Sequence, residues 1–190
     1  MSGYHSERPS LDDIRAAARR IEPHIHRTPV LTCQAIDQVA GCEIFLKCEN
    51  LQKVGAFKAR GASNAVFSLT DDEASHGVVT HSSGNHAQAL AWAAGRRGIP
   101  AHIVMPTNAP MVKKNAVLDY GGIVHDCEPT LESRLKTCAR VAQETGGTVI
   151  PPYDDDRVIA GQGTIALEFL GQVPDLDAIV VPVGGGGMIS

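Results

Sequence analysis

Short apolar runs alternate with helical patterns along most of this 190-residue chain, and that rhythm leaves few folds open. The runs at 43–48, 77–80, 101–105, 123–125, 148–150 and 178–183 read as strands. Between them, segments 57–69, 85–97, 110–120, 131–144 and 163–170 read as helices. Residues that interrupt regular structure separate the two kinds. Pro100 and Pro106 bound one strand, Gly121-Gly122 end one helix, and Gly146-Gly147 end another. Strands joined through helices need crossover connections, so a mostly parallel sheet with helices on its faces is expected. In such an α/β fold, ligands bind where a strand hands over to a helix, at the carboxyl ends of the strands.

Upstream, residues 1–9 are polar and read as a loose tail. Ser10 then offers a helix cap, with Asp12 and Asp13 in the first turn. Leu11, Ile14, Ala18 and Ile21 share one face, and Pro23 stops the helix. Thr28-Pro29 reads as an extended turn. Hydrophobic residues make up 43% of the chain and aromatics only 4%, which suits closely packed helix and sheet layers. The formal net charge is -4 with no basic block, so no nucleic-acid partner is expected. No apolar run approaches the roughly 20 residues that span a bilayer. The stretch from Met1 to Pro9 lacks the apolar core of a signal peptide, so a cytoplasmic protein with no membrane partner is expected. Cys33, Cys42, Cys48, Cys127 and Cys138 are odd in number and lack C-x-x-C spacing, which favours scattered reduced thiols over disulfides or zinc.

Three loops carry the chemistry. In Gly55-Ala56-Phe57-Lys58-Ala59-Arg60-Gly61-Ala62 a lysine falls at a helix start, the positive end of the macrodipole. That position favours the neutral amine, the form that makes a Schiff base; a solvated surface charge is the other reading. Thr80-His81-Ser82-Ser83-Gly84-Asn85-His86 joins a strand to a helix and offers hydroxyls, an amide and backbone N–H groups to an anion such as a carboxylate. Alone, it reads equally as a capped turn. After the run at 178–183 comes Gly184-Gly185-Gly186-Gly187, where N–H groups can converge on a phosphate without interference from Cβ atoms. It is not G-x-G-x-x-G, so a nicotinamide-dependent oxidoreductase is disfavoured. A strand leading into four glycines ordinarily opens a helix and none follows before Ser190, so the sequence reads as a fragment or truncated product, a flexible tail being the other reading.

In this order and spacing, the motifs resemble those of the fold-type II pyridoxal-phosphate (PLP) enzymes, in the serine racemase and serine/threonine dehydratase group. The resemblance runs from about Leu11 to the last residue. It rests on Lys47-Cys48-Glu49-Asn50-Leu51-Gln52, the stretch from Phe57 to Ala62, Ser82 to His86, Gly161-Gln162-Gly163-Thr164, and Pro182 to Gly187. It implies a tryptophan-synthase-β-like architecture with parallel or mostly parallel sheets, helices on both faces, and two domains. Residues 52–150 would form the small domain, and residues 1–51 with 151–190 an incomplete large one.

The resemblance also implies roles. Lys58 would hold PLP and move the α-proton, and Phe57 would pack beside the ring. Asn85 would bond the ring hydroxyl, and Gly184, Gly185, Gly186, Gly187 and the Met188 backbone would hold the phosphate. Ser82, Ser83 and Asn85 would bind the substrate carboxylate. Arg134 would contact substrate on closure, a solvated helix arginine being the other reading. Many dehydratases of the group have alanine where Ser83 stands. In the racemases that serine is the second acid/base, so Ser83 admits racemisation without excluding elimination.

The implied function is serine racemisation, α,β-elimination of serine or threonine to a 2-oxo acid and ammonia, or both, in a homodimer. A β-replacement enzyme of cysteine-synthase type and a truncated inactive relative are the alternatives. Ala56 departs from the family's usual serine or threonine. The family's partner for the pyridine nitrogen and its ligands for Mg or Ca would lie past Ser190, so a divalent cation is expected only in a longer chain. No metal site is expected here: His81 and His86 have no third ligand, and Asp154-Asp155-Asp156 reads as a solvated turn. Lys53, Lys113 and Tyr120 sit where nucleotide-activated racemases bind ATP, but surface roles suffice for them.

Overall fold

Side-chain caps start several of the helices. The computed structural model describes residues 9–190; the tail expected over residues 1–9 lies, Pro9 apart, outside them. Helix α1 (Leu11–Ile21) opens on a reciprocal cap, in which Ser10 Oγ accepts the Asp13 N–H (3.3 Å) and Asp13 accepts the Ser10 N–H (2.8 Å). Strand β1 (Val30–Leu31) and strand β2 (Leu46–Lys47) form an antiparallel ribbon around helix α2 (Gln34–Ala40). Two short 3-10 turns, Glu49–Leu51 and Lys53–Gly55, lead into helix α3 (Lys58–Phe67). Helix α4 (Asp71–Ser75) repeats the reciprocal cap with Thr70 and Glu73. Then follow β3 (Val78–His81), α5 (Asn85–Arg97), β4 (Ala101–Pro106), α6 (Met111–Asp119), β5 (Ile123–Cys127), α7 (Leu131–Thr145), β6 (Thr148–Val149) and α8 (Asp156–Gln172).

The last four strands form one parallel sheet in the order β5-β4-β3-β6. On one face, Val78, Ile103 and Met105 meet Ala62, Val66 and Leu90 from α3 and α5. On the other, Val79, Val104 and Cys127 meet Cys138 and Val141 of α7. Each fully buried aliphatic side chain there contributes about 1.5–3 kcal/mol. The five cysteines are all free; Cys48, Cys127 and Cys138 are buried, whereas Cys33 and Cys42 are exposed. Among the described residues no helix is long and apolar enough to cross a membrane, and no three His, Cys, Asp or Glu side chains are grouped to hold a metal ion.

Three expectations change. Residues 178–183 are not a strand: no neighbour among the described residues takes their backbone groups, and Val180 is 96% exposed. Of 43–48, only Leu46–Lys47 pairs as a strand; the Ile44 N–H turns instead to the Asp37 carboxylate (2.8 Å). Helix α8 begins at Asp156 rather than 163, capped by Asp155, which accepts the N–H groups of Arg157 and Val158. Gly161 and Gly163 each weaken a helix by about 1 kcal/mol relative to alanine, which hid its first turns. Packing is the reason they are glycines. Helices α3 and α8 cross so closely that a Cβ on Gly161 would lie 2.6 Å from Gly61 Cα and 2.8 Å from the Arg60 carbonyl. A Cβ on Gly163 would lie 2.8 Å from Ile14 of α1.

A buried ionic network ties this crossing to the amino-terminal ribbon. Arg60, 0% exposed, donates to both carboxylate oxygens of Glu49 (2.8 and 2.7 Å) and to Glu168 (3.1 Å). Lys47 is paired with Glu168 as well, and Thr28 donates its hydroxyl to Glu49 (2.6 Å) and its N–H to Glu168 (3.0 Å). Burial alone would raise the Glu168 carboxyl; hydrogen bonds and charge from Arg60 and Lys47 outweigh it and hold it below the usual glutamate value.

Two outcomes follow. Gly161→Ala gains about 1 kcal/mol of helix propensity but must push two backbones apart, so a net loss of about 1–2 kcal/mol is expected in urea unfolding. Arg60→Met leaves the part-buried Glu49 without its cation and Glu168 with Lys47 alone, and is expected to cost about 3 kcal/mol at pH 7. The stability that Arg60 draws from the depressed Glu168 is present above the unfolded glutamate pKa and lost as pH falls through the folded one. The difference in urea midpoint between parent and variant should therefore narrow below pH 4.5.

Candidate active site

The chain runs β3, β4, β5 outward across the sheet, then returns to place β6 on the other side of β3. Strand order thus reverses between β3 and β6, and the loops leaving their carboxyl ends border a crevice of the kind that binds ligands in open parallel sheets. These loops are Ser82 to Gly84 after β3 and Ile150 to Tyr153 after β6.

Lys58, the first residue of α3, reaches this crevice. The turn before it is strained: Val54 (φ 54°) and Gly55 (φ 68°) are both left-handed, a region a β-branched residue rarely adopts. Lys58 Nζ donates to the Pro152 carbonyl (2.6 Å) and lies 5.1 Å from the centre of the Phe57 ring. Burial lowers its pKa from the ordinary lysine value, because the charged form loses water. No carboxylate pairs with it among the described residues.

In the β3–α5 loop, Ser82 Oγ accepts the Gly84 N–H (3.3 Å), which turns that hydroxyl into the loop. The Ser83 hydroxyl has no hydrogen-bond partner among the described residues, and Asn85, exposed at the first position of α5, has none for its side chain either. Arg134 lies in the first turn of α7, partly buried, with its Nε shielded and without a partner among the described residues. Its charge lowers the pKa of His81, after the larger effect of burial, so it stands near the end of β3.

The glycine turn meets the same crevice from the other side. Gly185 and Gly187 pack against Tyr153, and a Cβ on Gly187 would lie 2.6 Å from the Tyr153 carbonyl. Gly186 is left-handed (φ 87°), and its carbonyl takes the N–H groups of Ile189 and Ser190 (3.0 and 3.1 Å). The N–H groups of residues 184–188 donate to no protein acceptor among the described residues. Met188 and Phe57 line one cavity of about 680 Å³, together with Leu46, Asn50, Phe169 and Val181. A half-buried amine with a lowered pKa and a turn of unspent N–H groups fit an aldehyde cofactor that carries a phosphate. Lys58 could hold the aldehyde carbon and residues 184–188 the phosphate.

Sequence reasoning passed over the residues that gather these parts. Three contacts converge on 150–153: Lys58 bonds the Pro152 carbonyl, His86 Nε2 donates to the Ile150 carbonyl (3.0 Å), and Tyr153 supports the glycines. The doublet Pro151-Pro152 just after a short strand was the available signal, since two prolines there stiffen a turn. Asp155 is the cap of α8 and bonds Arg157, so the acidic run is more than a solvated turn.

The chain is similar to known proteins. A family model described as "Pyridoxal-phosphate dependent enzyme" matches residues 21–190. A β-hydroxyaspartate dehydratase of Paracoccus denitrificans is 56% identical over 96% of this chain and 58% of its own length. A serine racemase of Oryza sativa subsp. indica is 52% identical over 98% of this chain and 55% of its own. The structure of maize serine racemase superposes with a TM-score of 0.94 at 53% identity, over 95% of this chain and 55% of that one. The chain thus spans little more than half the length of the relatives it matches. With the family model covering all but its first 20 residues, the chain belongs to the family of pyridoxal-phosphate dependent enzymes of fold type II.

Proposed function

We propose that this chain supplies the cofactor lysine and the substrate loop of a PLP enzyme that racemises serine, eliminates its hydroxyl, or does both. One observation carries the reading: the half-buried amine of Lys58, with no carboxylate partner among the described residues, stands at the crevice where the Ser82 to Asn85 loop and the glycine turn also open. PLP, when bound, withdraws electrons from the substrate's α-carbon and so acidifies its Cα–H bond. Lys58 removes that proton as general base; its lowered pKa leaves more of the amine neutral near pH 7. Backbone N–H groups at the start of α5, with Ser82 and Asn85, hold the substrate carboxylate. The Ser83 hydroxyl, without a hydrogen-bond partner among the described residues, returns a proton to the opposite face in racemisation, whereas elimination needs only Lys58. Phe57 packs beside the ring, Asn85 bonds its hydroxyl, the N–H groups of Gly184, Gly185, Gly186, Gly187 and Met188 take the phosphate, and Arg134 meets the substrate.

Serine is the preferred substrate, as the name of the rice relative suggests; the dehydratase relative makes a β-hydroxyaspartate the second candidate. We further propose residues 52–150 as a small domain and residues 1–51 with 151–190 as part of a large one. The four-stranded sheet and α5 to α7 lie inside the first range. A cytoplasmic homodimer is the proposed setting, and any divalent cation would need ligands outside this chain.

Adding PLP, reducing with borohydride and mapping peptides by mass spectrometry should label Lys58; label on another lysine, or on none, would sink the assignment. In an active protein carrying this sequence, Ser83→Ala should lower serine racemisation by about 10²–10⁴-fold, the usual worth of a general acid or base. Pyruvate formation should change by only about 3-fold on the same scale. Chiral chromatography of serine beside a pyruvate assay separates the two, and surviving racemisation would rule out Ser83 as the second acid/base.

A further inference from the structure

His86 belongs to the substrate loop by sequence, yet its side chain points away from solvent. It is 2% exposed, and Nε2 donates to the Ile150 carbonyl (3.0 Å) at the end of β6. Because a carbonyl only accepts, the ring proton sits on Nε2, and the buried Nδ1 has no partner among the described residues. Among the described residues the imidazole therefore bonds one group, and that group is backbone.

The bonded carbonyl begins the segment that receives Lys58. Ile150 N–H donates to the Val79 carbonyl (2.8 Å), which ties the residue to β3. Pro151 and Pro152 then follow, and neither has an N–H with which to anchor itself. On its upstream side, the turn that carries the Pro152 carbonyl is therefore anchored by the two bonds at Ile150. One is the sheet bond; the other comes from His86. The Pro152 carbonyl in turn takes the Lys58 amine (2.6 Å).

We propose that His86 is a positioning residue for Lys58: by holding the Ile150 carbonyl it orients the Pro151-Pro152 turn, and through it the amine. This rests on the reading of Lys58 as the cofactor lysine. His86 acts as a neutral ring. Burial, with smaller effects from Lys58 and His81, lowers its pKa to about 4, against the Ile150 bond and Asp155, which raise it. An imidazolium would also carry an Nδ1–H with no acceptor. Across the pH range in which Lys58 works, no charge therefore appears on His86 to disturb the amine.

The test reads Lys58 in the full 190-residue chain without cofactor. Trace acetic anhydride acylates only neutral amines, so the ratio of label on Lys58 to that on exposed Lys136, followed by mass spectrometry from pH 6 to 11, gives the Lys58 titration. His86→Leu removes the donor and His86→Asn is too short to deliver it to the Nε2 position, whereas His86→Gln retains an N–H there. The Leu and Asn variants should raise the Lys58 midpoint by about half a unit or more, as the loosened turn admits water to the amine. His86→Gln should stay with the parent. If the Leu variant fails to fold, the contrast of Asn with Gln decides. The same midpoint in Leu, Asn and parent would overturn the proposal, and so would a shift in all three variants. Borohydride labelling of the parent with PLP, run alongside, reports separately on whether Lys58 is the cofactor lysine.

Discussion

Arg60 organises the rest. Its guanidinium is fully enclosed, and a buried cation is tolerated only where carboxylates surround it. Glu49 arrives from the turn after β2 and Glu168 from α8, each drawing a further partner, Thr28 or Lys47, into the same cluster. One side chain on α3 thereby joins three pieces of chain far apart in sequence. Lys58 lies two residues earlier on that helix, so the network that holds α3 also sets where the lysine begins.

Close approach completes what charge begins. At Gly61 and Gly161 the two helices meet with no side chain between them, and Gly163 admits Ile14 of α1. Three motifs distant in sequence then reach one short stretch, residues 150–153, by three different means: an amine on a carbonyl, an imidazole on a carbonyl, and glycine backbone against a tyrosine. That stretch leaves the sheet where strand order reverses, the place a parallel sheet leaves open.

Much of this was legible in the residues alone. Helix 85–97 and the strand starting at Ala101 fall where periodicity and prolines put them, because local pattern and tertiary packing agree there. Lys58 and the Ser82 to His86 loop stand at helix starts as expected. What failed was governed by contacts invisible to a local reading. The first turns of α8 were passed over because the partner that calls for Gly161, Gly61, lies a hundred residues away. Residues 178–183 have the apolar character of a strand, but a strand also needs a neighbour. No role was read for the His86 side chain, because its bond to a backbone carbonyl depends on how β6 returns beside β3.

Strand β6 itself is only two residues long and, among the described residues, pairs with β3 alone. The segment that collects the lysine, the histidine and the tyrosine hangs from it by the Thr148 and Ile150 N–H bonds (3.0 and 2.8 Å). Edges of this kind open locally at far lower free energy than the whole domain unfolds. The crevice can therefore come apart and re-form while the helices and the central strands stay intact. A preparation that keeps its full helical content could still have lost the geometry around its lysine, and a ligand bridging residues on both sides of the crevice would close that edge as it binds.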